Sequence, residues 1–222
     1  MLKWAFEGRL TNANVKDGEL PKGWEWKKLG DLMQSVKNGY SKKPDENGCF
    51  KILRISSVRP NKIDLNDYRL LESDIGVDFT VSGNDLLFTR YNGSIEFVGV
   101  CSFVPVLTEK IFYPDKLIRC RPKINARYHS AYITYASNCG DARKFVLSKI
   151  KTSAGQTGIS GGEIKEIPIP LAPTKEQEEI VQEIESRLSV CDKIEETINN
   201  GLKEAEALRQ SILKQAFEGK LI

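Results

Sequence analysis

The strongest constraint on the fold is a single apolar stripe in the last quarter of the sequence. After Thr174 the apolar residues recur every three or four positions, close to the 3.6-residue turn of an α-helix. The stripe consists of Ile180, Ile184, Leu188, Cys191, Ile194, Ile198, Leu202, Ala205, Leu208 and Ile212. Thr174, with Gln177 three residues later, predicts an N-cap and its capping-box partner. We therefore predict that a helix begins at Thr174.

The length of this helix depends on Asn199–Gly201, because asparagine and glycine commonly end helices. The stripe keeps its phase from Ile198 to Leu202, which favours one helix to about Phe217, roughly 65 Å long at 1.5 Å per residue. A globular domain cannot cover a stripe of that length, so we expect a second helix from another chain to cover it. The alternative is an amphipathic helix that folds back over its own domain.

The sequence before the helix predicts a mixed α+β domain. Pro168, Pro170 and Pro173 favour an extended edge segment. Residues 126–150 have helical texture, with a break near residues 138–140, and Asn92–Gly93 is a hairpin signal. Four runs of strand-forming residues lie between turn formers: Phe50–Val58, Asp85–Gly93, Glu96–Val104 and Asp115–Pro122.

Composition narrows the class of protein. The chain has 222 residues, 40% of them hydrophobic and 28% charged, which is typical of a folded core rather than of disorder. No apolar run has the length of a signal peptide or a membrane span, so we expect a soluble, cytoplasmic protein. The five cysteines lack the short spacings of a zinc site, and we expect reduced thiols and no metal.

The net charge of +3 hides two parts of opposite sign. Residues 174–222 contain seven Lys or Arg and eleven Asp or Glu, a balance of −4. The first 173 residues contain 26 and 19, a balance of +7. The basic part is therefore the one expected to meet phosphate.

A nine-residue sequence occurs twice, as LKWAFEGRL at Leu2–Leu10 and as LKQAFEGKL at Leu213–Leu221, with seven of nine positions identical. Three further segments accompany it: LPKGWEWKKLGDL at Leu20–Leu32, DLLFTRYNGS at Asp85–Ser94, and the segment Thr152–Val181. Together, in this order, they resemble one half of a type I restriction–modification specificity subunit along essentially the full chain.

This resemblance implies a division into three parts. Residues 1–19 resemble the tail of a preceding long helix, residues 20–173 a DNA target recognition domain, and residues 174–222 the long helix that packs antiparallel against a second one as a coiled coil. Members usually carry two such units. The chain therefore resembles the second half of a divided subunit, or a member encoded as a half that pairs with itself or with another half.

The resemblance also implies a function: reading one half of a bipartite target in double-stranded DNA and docking methyltransferase subunits, with restriction subunits as further partners. S-adenosylmethionine would belong to the methyltransferase subunit, with no cofactor and no catalysis in this chain. Two alternatives are a module with its own nuclease or methyltransferase activity and a structural coiled-coil adaptor. No Walker-type phosphate loop or methyltransferase tetrad is present, and we expect the one histidine, His129, to be packed or on the surface.

Arg90 and Asn92 are the first candidates for base contacts, because arginine binds guanine and asparagine binds adenine through paired hydrogen bonds. The alternatives are that Arg90 pairs with a carboxylate and that Asn92 only forms a turn. Strand alternation places Arg54 and Ser56 on one face of their segment. The remaining candidates come from the same segments, a lysine loop and a glycine-rich loop: Lys37, Tyr40, Lys42, Lys43, Ser57, Arg59, Thr89, Tyr91, Ser94, Ser153, Gln156 and Thr157. For the two loops, a solvated or tight structural turn is the competing interpretation.

Overall fold

The computed structural model describes residues 2–11, 15, 19–153 and 156–220. The chain forms two compact units, Met1–Val181 and Gln182–Ile222. The helices are α1 (Leu2–Phe6), α2 (Leu29–Leu32), α3 (Arg127–Ser137), α4 (Gly140–Lys149), α5 (Gly161–Lys165) and α6 (Thr174–Phe217). The strands are β1 (Glu25–Lys28), β2 (Met33–Asn38), β3 (Phe50–Leu53), β4 (Val58–Arg59), β5 (Lys62–Ile63), β6 (Tyr68–Leu71), β7 (Leu86–Thr89), β8 (Tyr91–Asn92), β9 (Cys101–Phe103), β10 (Ile111–Phe112), β11 (Leu117–Pro122), β12 (Lys151–Ser153), β13 (Gln156–Gly158) and β14 (Pro168–Leu171).

The centre of the first unit is a four-stranded antiparallel sheet in the order β2-β11-β7-β9. Its inner strand β7 is buried along its whole length, since Leu86, Leu87 and Phe88 are fully shielded from solvent. Alternation along the strand sends Leu87 into one apolar cluster, with Val100 and Leu117 among its members, and its two neighbours to the opposite face. The predicted α+β class is confirmed.

Smaller sheets surround this centre. Strands β10, β3 and β6 form a mixed sheet, in which β10 and β3 run parallel. Strands β12, β13 and β8 form an antiparallel ribbon, and β4 pairs with β5. The proline-rich strand β14 pairs with β1 in a two-stranded sheet. That pairing confirms the extended edge segment expected from Pro168 and Pro170.

The break between α3 and α4 lies at residues 138–140, as predicted. The Asn138 side chain donates hydrogen bonds to Asn61 Oδ1 and to the Cys101 carbonyl oxygen, both at 2.7 Å. It also accepts one from the Cys101 amide at 2.8 Å. The helix ends there because this side chain fastens it to strand β9.

The strand predictions were right in kind and too long in extent. The run Phe50–Val58 is a strand only to Leu53, and Ile55–Ser57 is a 3-10 turn, so the predicted alternation of Arg54 and Ser56 is wrong. The run from Asp85 to Gly93 divides at Arg90 into β7 and β8, which belong to different sheets. Asn92 pairs with Thr157 rather than closing a hairpin.

Helix α6 is continuous from Thr174 to Phe217, as predicted across Gly201. Its capping box is wrong, because the Gln177 side chain donates to the Ala172 carbonyl oxygen at 2.7 Å instead. The oxygen of the same side chain contacts His129 Nδ1 at 2.8 Å, and His129 is buried as expected. Within the described residues, no helix combines the length and apolar content that a bilayer span requires.

The stripe of α6 changes character along its length. Ile180 and Ile184 are fully buried in this chain, so the prediction that they face a partner is wrong. Leu188 is half-buried. Beyond it the stripe is open in this chain, with Ile198 64% and Leu202 59% exposed.

The five cysteines are free and fall into two groups. Cys101 and Cys120 are buried, and burial raises the pKa of both thiols. Burial also raises the pKa of the half-buried Cys139 to about 12. Cys49 in the first unit and Cys191 on α6 are exposed.

Candidate nucleic-acid interface

A basic cleft of about 400 Å³ opens on the surface of the first unit. Its charged lining consists of five cations, Lys42, Lys43, Arg54, Arg69 and Lys116, and one acid, Asp115. Five predicted residues from two separate segments meet here: Tyr40, Lys42, Lys43, Arg54 and Ser56. An excess of positive charge in a concave surface attracts a polyanion.

The backbone around Tyr40 shapes one wall of the cleft. The Tyr40 amide donates to the Tyr113 carbonyl oxygen at 3.0 Å, and the Tyr40 carbonyl oxygen accepts from the Asp115 amide at 2.8 Å. Gly39 permits this approach, because a Cβ there would lie 2.3 Å from the Pro114 carbonyl oxygen. The Tyr40 ring packs edge-on against Phe79 at 5.4 Å between centroids, which holds the lysine loop that follows it.

Most of the cleft's cations are free to meet a ligand. Lys42, Lys43, Arg69 and Lys116 pair with none of the described carboxylates. Arg54 Nη1 lies 3.2 Å from Asp67 Oδ1, with half of its side chain exposed. Exposed pairs of this kind are worth about 0–1 kcal/mol, so a phosphate can compete for this arginine.

The antiparallel ribbon brings together two predicted segments that are far apart in sequence. Asn92 and Tyr91 of β8 lie opposite Thr157 and Gly158 of β13. Gly158 is required by this packing, because a Cβ there would lie 2.3 Å from the Tyr91 ring. Thr157 Oγ1 lies 3.3 Å from Thr152 Oγ1 on β12, which leaves hydroxyl groups along the ribbon.

Arg90 lies at the junction of the cleft and the ribbon. Its amide donates to the Lys116 carbonyl oxygen at 2.8 Å, and its own carbonyl oxygen accepts from the Ile159 amide at 2.9 Å. Its guanidinium stacks over the Tyr91 ring at 4.7 Å and pairs with none of the described carboxylates. The alternative of an ion-paired Arg90 is therefore wrong, and its donors are available.

Two predicted contact residues are structural instead. Thr89 is fully buried, where its hydroxyl donates to the Phe97 carbonyl oxygen and accepts from the Val100 amide at 3.2 Å. Ser57 is 1% exposed, and its hydroxyl donates to the Arg54 carbonyl oxygen at 2.6 Å. Both hydroxyls satisfy buried backbone groups, so neither can reach DNA.

Four other candidates lie outside the cleft lining: Lys37, Arg59, Asn92 and Ser94. Lys37 pairs with Asp78 at 2.9 Å, and this hydrogen bond lowers the pKa of that carboxyl. Arg59 stacks over the Phe97 ring at 4.8 Å. Asn92 Oδ1 accepts from the Ser94 amide at 3.1 Å, so the predicted turn role of Asn92 is confirmed.

For the glycine-rich loop, only part of the prediction can be placed. Ser153 and Gln156 pair through their backbones in the ribbon. Their side chains, and residues 154 and 155 between them, lie outside the described part of the structure.

Sequence reasoning missed Arg69 and Lys116. Each lies in or beside a short apolar strand, YRLL and KLIRC, where one cation gives no signal of its partners. The cleft lining joins residues 40–44, 53–56, 69 and 114–116, which only the folded sheet brings together. Among the described residues, no group of three or more His, Cys, Asp or Glu could hold a metal ion.

Comparison with known proteins gives consistent results across sequence and structure. The family model for the type I restriction modification DNA specificity domain matches residues 21–204. The EcoKI specificity subunit of Escherichia coli K12 is 42% identical over 100% of this chain and 48% of its own length. The StySPI specificity subunit of Salmonella potsdam is 32% identical, with the same coverage. The chain thus spans about half the length of the curated relatives it matches.

Solved structures show the same fold. One comes from work on the complex assembly and conformational transition of the type I R-M system, with a TM-score of 0.68 and 18% identity over 99% of this chain and 52% of that one. Another is the HsdS subunit of Thermoanaerobacter tengcongensis, with a TM-score of 0.57 and 17% identity over 99% of this chain and 50% of that one.

Proposed function

The chain belongs to the type I restriction–modification DNA specificity family, and from this premise we propose that its first unit reads one part of a bipartite target in double-stranded DNA. The observation that carries the proposal is the basic cleft, in which Lys42, Lys43, Arg69 and Lys116 pair with none of the carboxylates that the structure describes. Such cations suit phosphate oxygens, which dominate the affinity of proteins for DNA.

Sequence reading falls to the ribbon beside the cleft. Arg90 presents free guanidinium donors at the junction, and Thr157 presents a hydroxyl on the neighbouring strand. An arginine that binds guanine in the major groove discriminates by about 1–3 kcal/mol. In this proposal the cleft positions the duplex and Arg90 contacts a base.

The open stripe of α6 supports a second part of the proposal. Ile194, Ile198, Leu202 and Leu208 are all more than half exposed, and a helical stripe of that kind stabilises a coiled coil. We propose that this stripe packs antiparallel against the equivalent helix of a second copy or of another half. Methyltransferase subunits would dock on the assembly, bind S-adenosylmethionine and perform catalysis in the cytoplasm, with restriction subunits as further partners.

DNA binding can be tested with two lysines at opposite ends of one strand. Lys116 precedes β11 and lines the cleft, whereas Lys123 follows β11 and is exposed outside the cleft. Lys116→Ala should weaken binding to a duplex that carries the target and lower the slope of log K against log salt by about 0.9, the value for one phosphate contact. Lys123→Ala makes the same charge change and should alter neither quantity.

A third variant, Arg90→Ala, tests the proposed base contact. It should weaken binding to the target by about 1–3 kcal/mol and reduce discrimination against a mismatched duplex. Equal effects of Lys116→Ala and Lys123→Ala, together with unchanged discrimination in Arg90→Ala, would exclude this surface as the DNA-binding site.

A further inference from the structure

Over the residues that the structure describes, 2–10 and 213–220, the repeated sequence adopts the same local structure at both of its positions. Each copy ends a helix with a glycine in the left-handed region, Gly8 at φ 75° and Gly219 at φ 67°. Three backbone hydrogen bonds close each turn. They are Glu7 N to Lys3 O at 3.0 Å, Gly8 N to Ala5 O at 3.2 Å and Arg9 N to Trp4 O at 2.9 Å, matched by Glu218 N to Lys214 O at 3.0 Å, Gly219 N to Ala216 O at 3.2 Å and Lys220 N to Gln215 O at 2.8 Å.

The first copy packs into a binding site on the first unit that includes Pro21 and Tyr132, and we call this site the seat. Ala5 is fully buried, and Phe6 is 6% exposed with its ring edge-on to Tyr132 at 5.1 Å between centroids. Gly8 lies so close to Pro21 that a Cβ on it would be 2.0 Å from the proline Cγ. The seat therefore selects alanine, phenylalanine and glycine at these three positions.

The second copy carries the same three residues without being covered in this chain. Phe217, the counterpart of Phe6, is 90% exposed. One of the two positions at which the copies differ is Trp4 against Gln215, and Trp4 is 61% exposed in the seat. The buried residues Ala5, Phe6 and Gly8 are thus all retained in the second copy. The two replaced residues are the exposed Trp4 and the half-buried Arg9, whose counterpart Lys220 keeps the positive charge.

We propose that the seat on the first unit also accepts the segment Leu213–Leu221 of a second copy of this chain, in exchange for the chain's own Leu2–Leu10. Phe217 would take the place of Phe6 against Tyr132, and Gly219 would pass Pro21 in the conformation it already has. A segment on the same chain competes at a high effective concentration, so the exchange is favoured where a second interaction holds the two copies together. The inference does not depend on DNA binding.

Exchange of the sequence within one chain gives the first test. The variant Trp4→Gln/Arg9→Lys converts the first copy into the sequence of the second. If the seat accepts either sequence, the full chain should unfold at a temperature within about 1 °C of the parent. A decrease of more than about 5 °C, equivalent to roughly 1–2 kcal/mol for a chain of this size, would show that the seat rejects the second sequence and would overturn the proposal.

Binding between molecules gives the second test. A fluorescein-labelled synthetic peptide of residues 211–222 is titrated into the full chain carrying Phe6→Ala, which weakens the resident segment. We expect saturable binding that is at least tenfold tighter than to the parent chain. The same peptide with Phe217→Ala should bind at least tenfold more weakly.

The remaining outcomes are also decisive. A folded Phe6→Ala chain that does not bind the peptide, or that binds the Phe217→Ala peptide equally well, would overturn the proposal. If Phe6→Ala does not fold alone, recovery of its circular dichroism on addition of the unmodified peptide would support the proposal. Failure of that recovery would count against it. Loss of DNA binding in Lys116→Ala leaves all of these results unaffected.

Discussion

At the residue scale, the carboxylate of Asp85 is a buried charge in the first unit, since the residue is 2% exposed, and it depends on its hydrogen-bond partners. It accepts hydrogen bonds from Arg121 Nε and Nη2 and from the Ser82 amide, each at 2.8 Å. Arg121→Ala would leave this charge buried without its partner. We expect a loss of about 3 kcal/mol in the free energy of unfolding, at the low end for buried pairs because 35% of the Arg121 side chain is exposed.

Urea denaturation of the purified chain measures this loss. Lys144→Ala is the control, since its pair with Asp141 is exposed on both sides and its removal should leave the midpoint unchanged within error. Equal midpoints for Arg121→Ala and the parent would show that Asp85 finds another partner.

His129 makes stability depend on pH. Burial lowers its pKa below the ordinary 6.5, while the hydrogen bond to Gln177 opposes this shift in part. The unfolded chain therefore binds a proton before the folded chain does, so stability is complete above pH 6.5 and falls as the pH decreases below it. Because the chain has one histidine, His129→Gln should flatten the curve of unfolding free energy between pH 6.5 and 5.5. A curve of the same slope in both proteins would contradict this assignment.

Single residues show where sequence reasoning stops. Thr89 and Arg90 are neighbours in one polar run, yet the first is buried and the second is half-buried, with its guanidinium over the Tyr91 ring. A polar residue type indicates a capacity for hydrogen bonding, but the partner depends on which backbone groups the fold leaves unsatisfied. The Thr89 hydroxyl accepts the hydrogen bond of the buried Val100 amide, and the residues next to Thr89 in the sequence do not predict this contact.

At the scale of elements, the open stripe of α6 predicts a measurable association. Ile198→Glu places a charge on the stripe, whereas Asn200→Glu places the same charge about 200° around the helix from it. If the stripe packs against a second helix, Ile198→Glu should convert a dimer into a monomer by light scattering. Asn200→Glu should leave the mass unchanged. The same mass for both variants would remove the stripe from the interface.

A helix or strand could be predicted from the sequence more accurately when its apolar pattern repeats over more residues. Helix α6 could be identified from ten stripe positions that share one phase, and the glycine within it has open space around it. The strands could not be bounded, because β7 is four residues long and buried on both faces, which leaves no alternation to read. The start of α6 was predicted correctly, but its capping box was not. The Gln177 side chain contacts His129, which lies 48 positions earlier in the sequence.

At the scale of the whole molecule, two spectroscopic signals separate the two units. All three tryptophans, Trp4, Trp24 and Trp26, lie in the first unit. Helix α6, with 44 residues, is longer than the other five described helices together. Tryptophan fluorescence therefore reports the first unit, and circular dichroism at 222 nm reports mainly α6.

Thermal unfolding followed by both signals should give two transitions. The transition seen by circular dichroism should shift to higher temperature with protein concentration, because a helix with an uncovered stripe is stabilised by association. The fluorescence transition should not shift. Coincident transitions at every concentration would indicate a single cooperative unit with no contribution from association.

The charge distribution of the whole chain was predictable, and its concentration in one cleft was not. The first 173 residues have an excess of seven positive charges, which already indicated an anionic partner. Which cations converge depends on non-local contacts, such as that between the Arg90 amide and the Lys116 carbonyl oxygen. Such contacts cannot be predicted from the spacing of residues in the sequence.

Two of the five thiols, those of Cys49 and Cys191, are exposed and can react with an added reagent. Cys101, Cys120 and Cys139 are kept as unreactive thiols by burial, so an alkylating reagent at neutral pH encounters Cys49 on one unit and Cys191 on the other. Cys191 belongs to the stripe, so its alkylation should slow if a partner helix covers the stripe, while Cys49 provides the rate of an open thiol in the same sample. The native protein thus contains both a thiol that would report the proposed assembly and an internal reference for it.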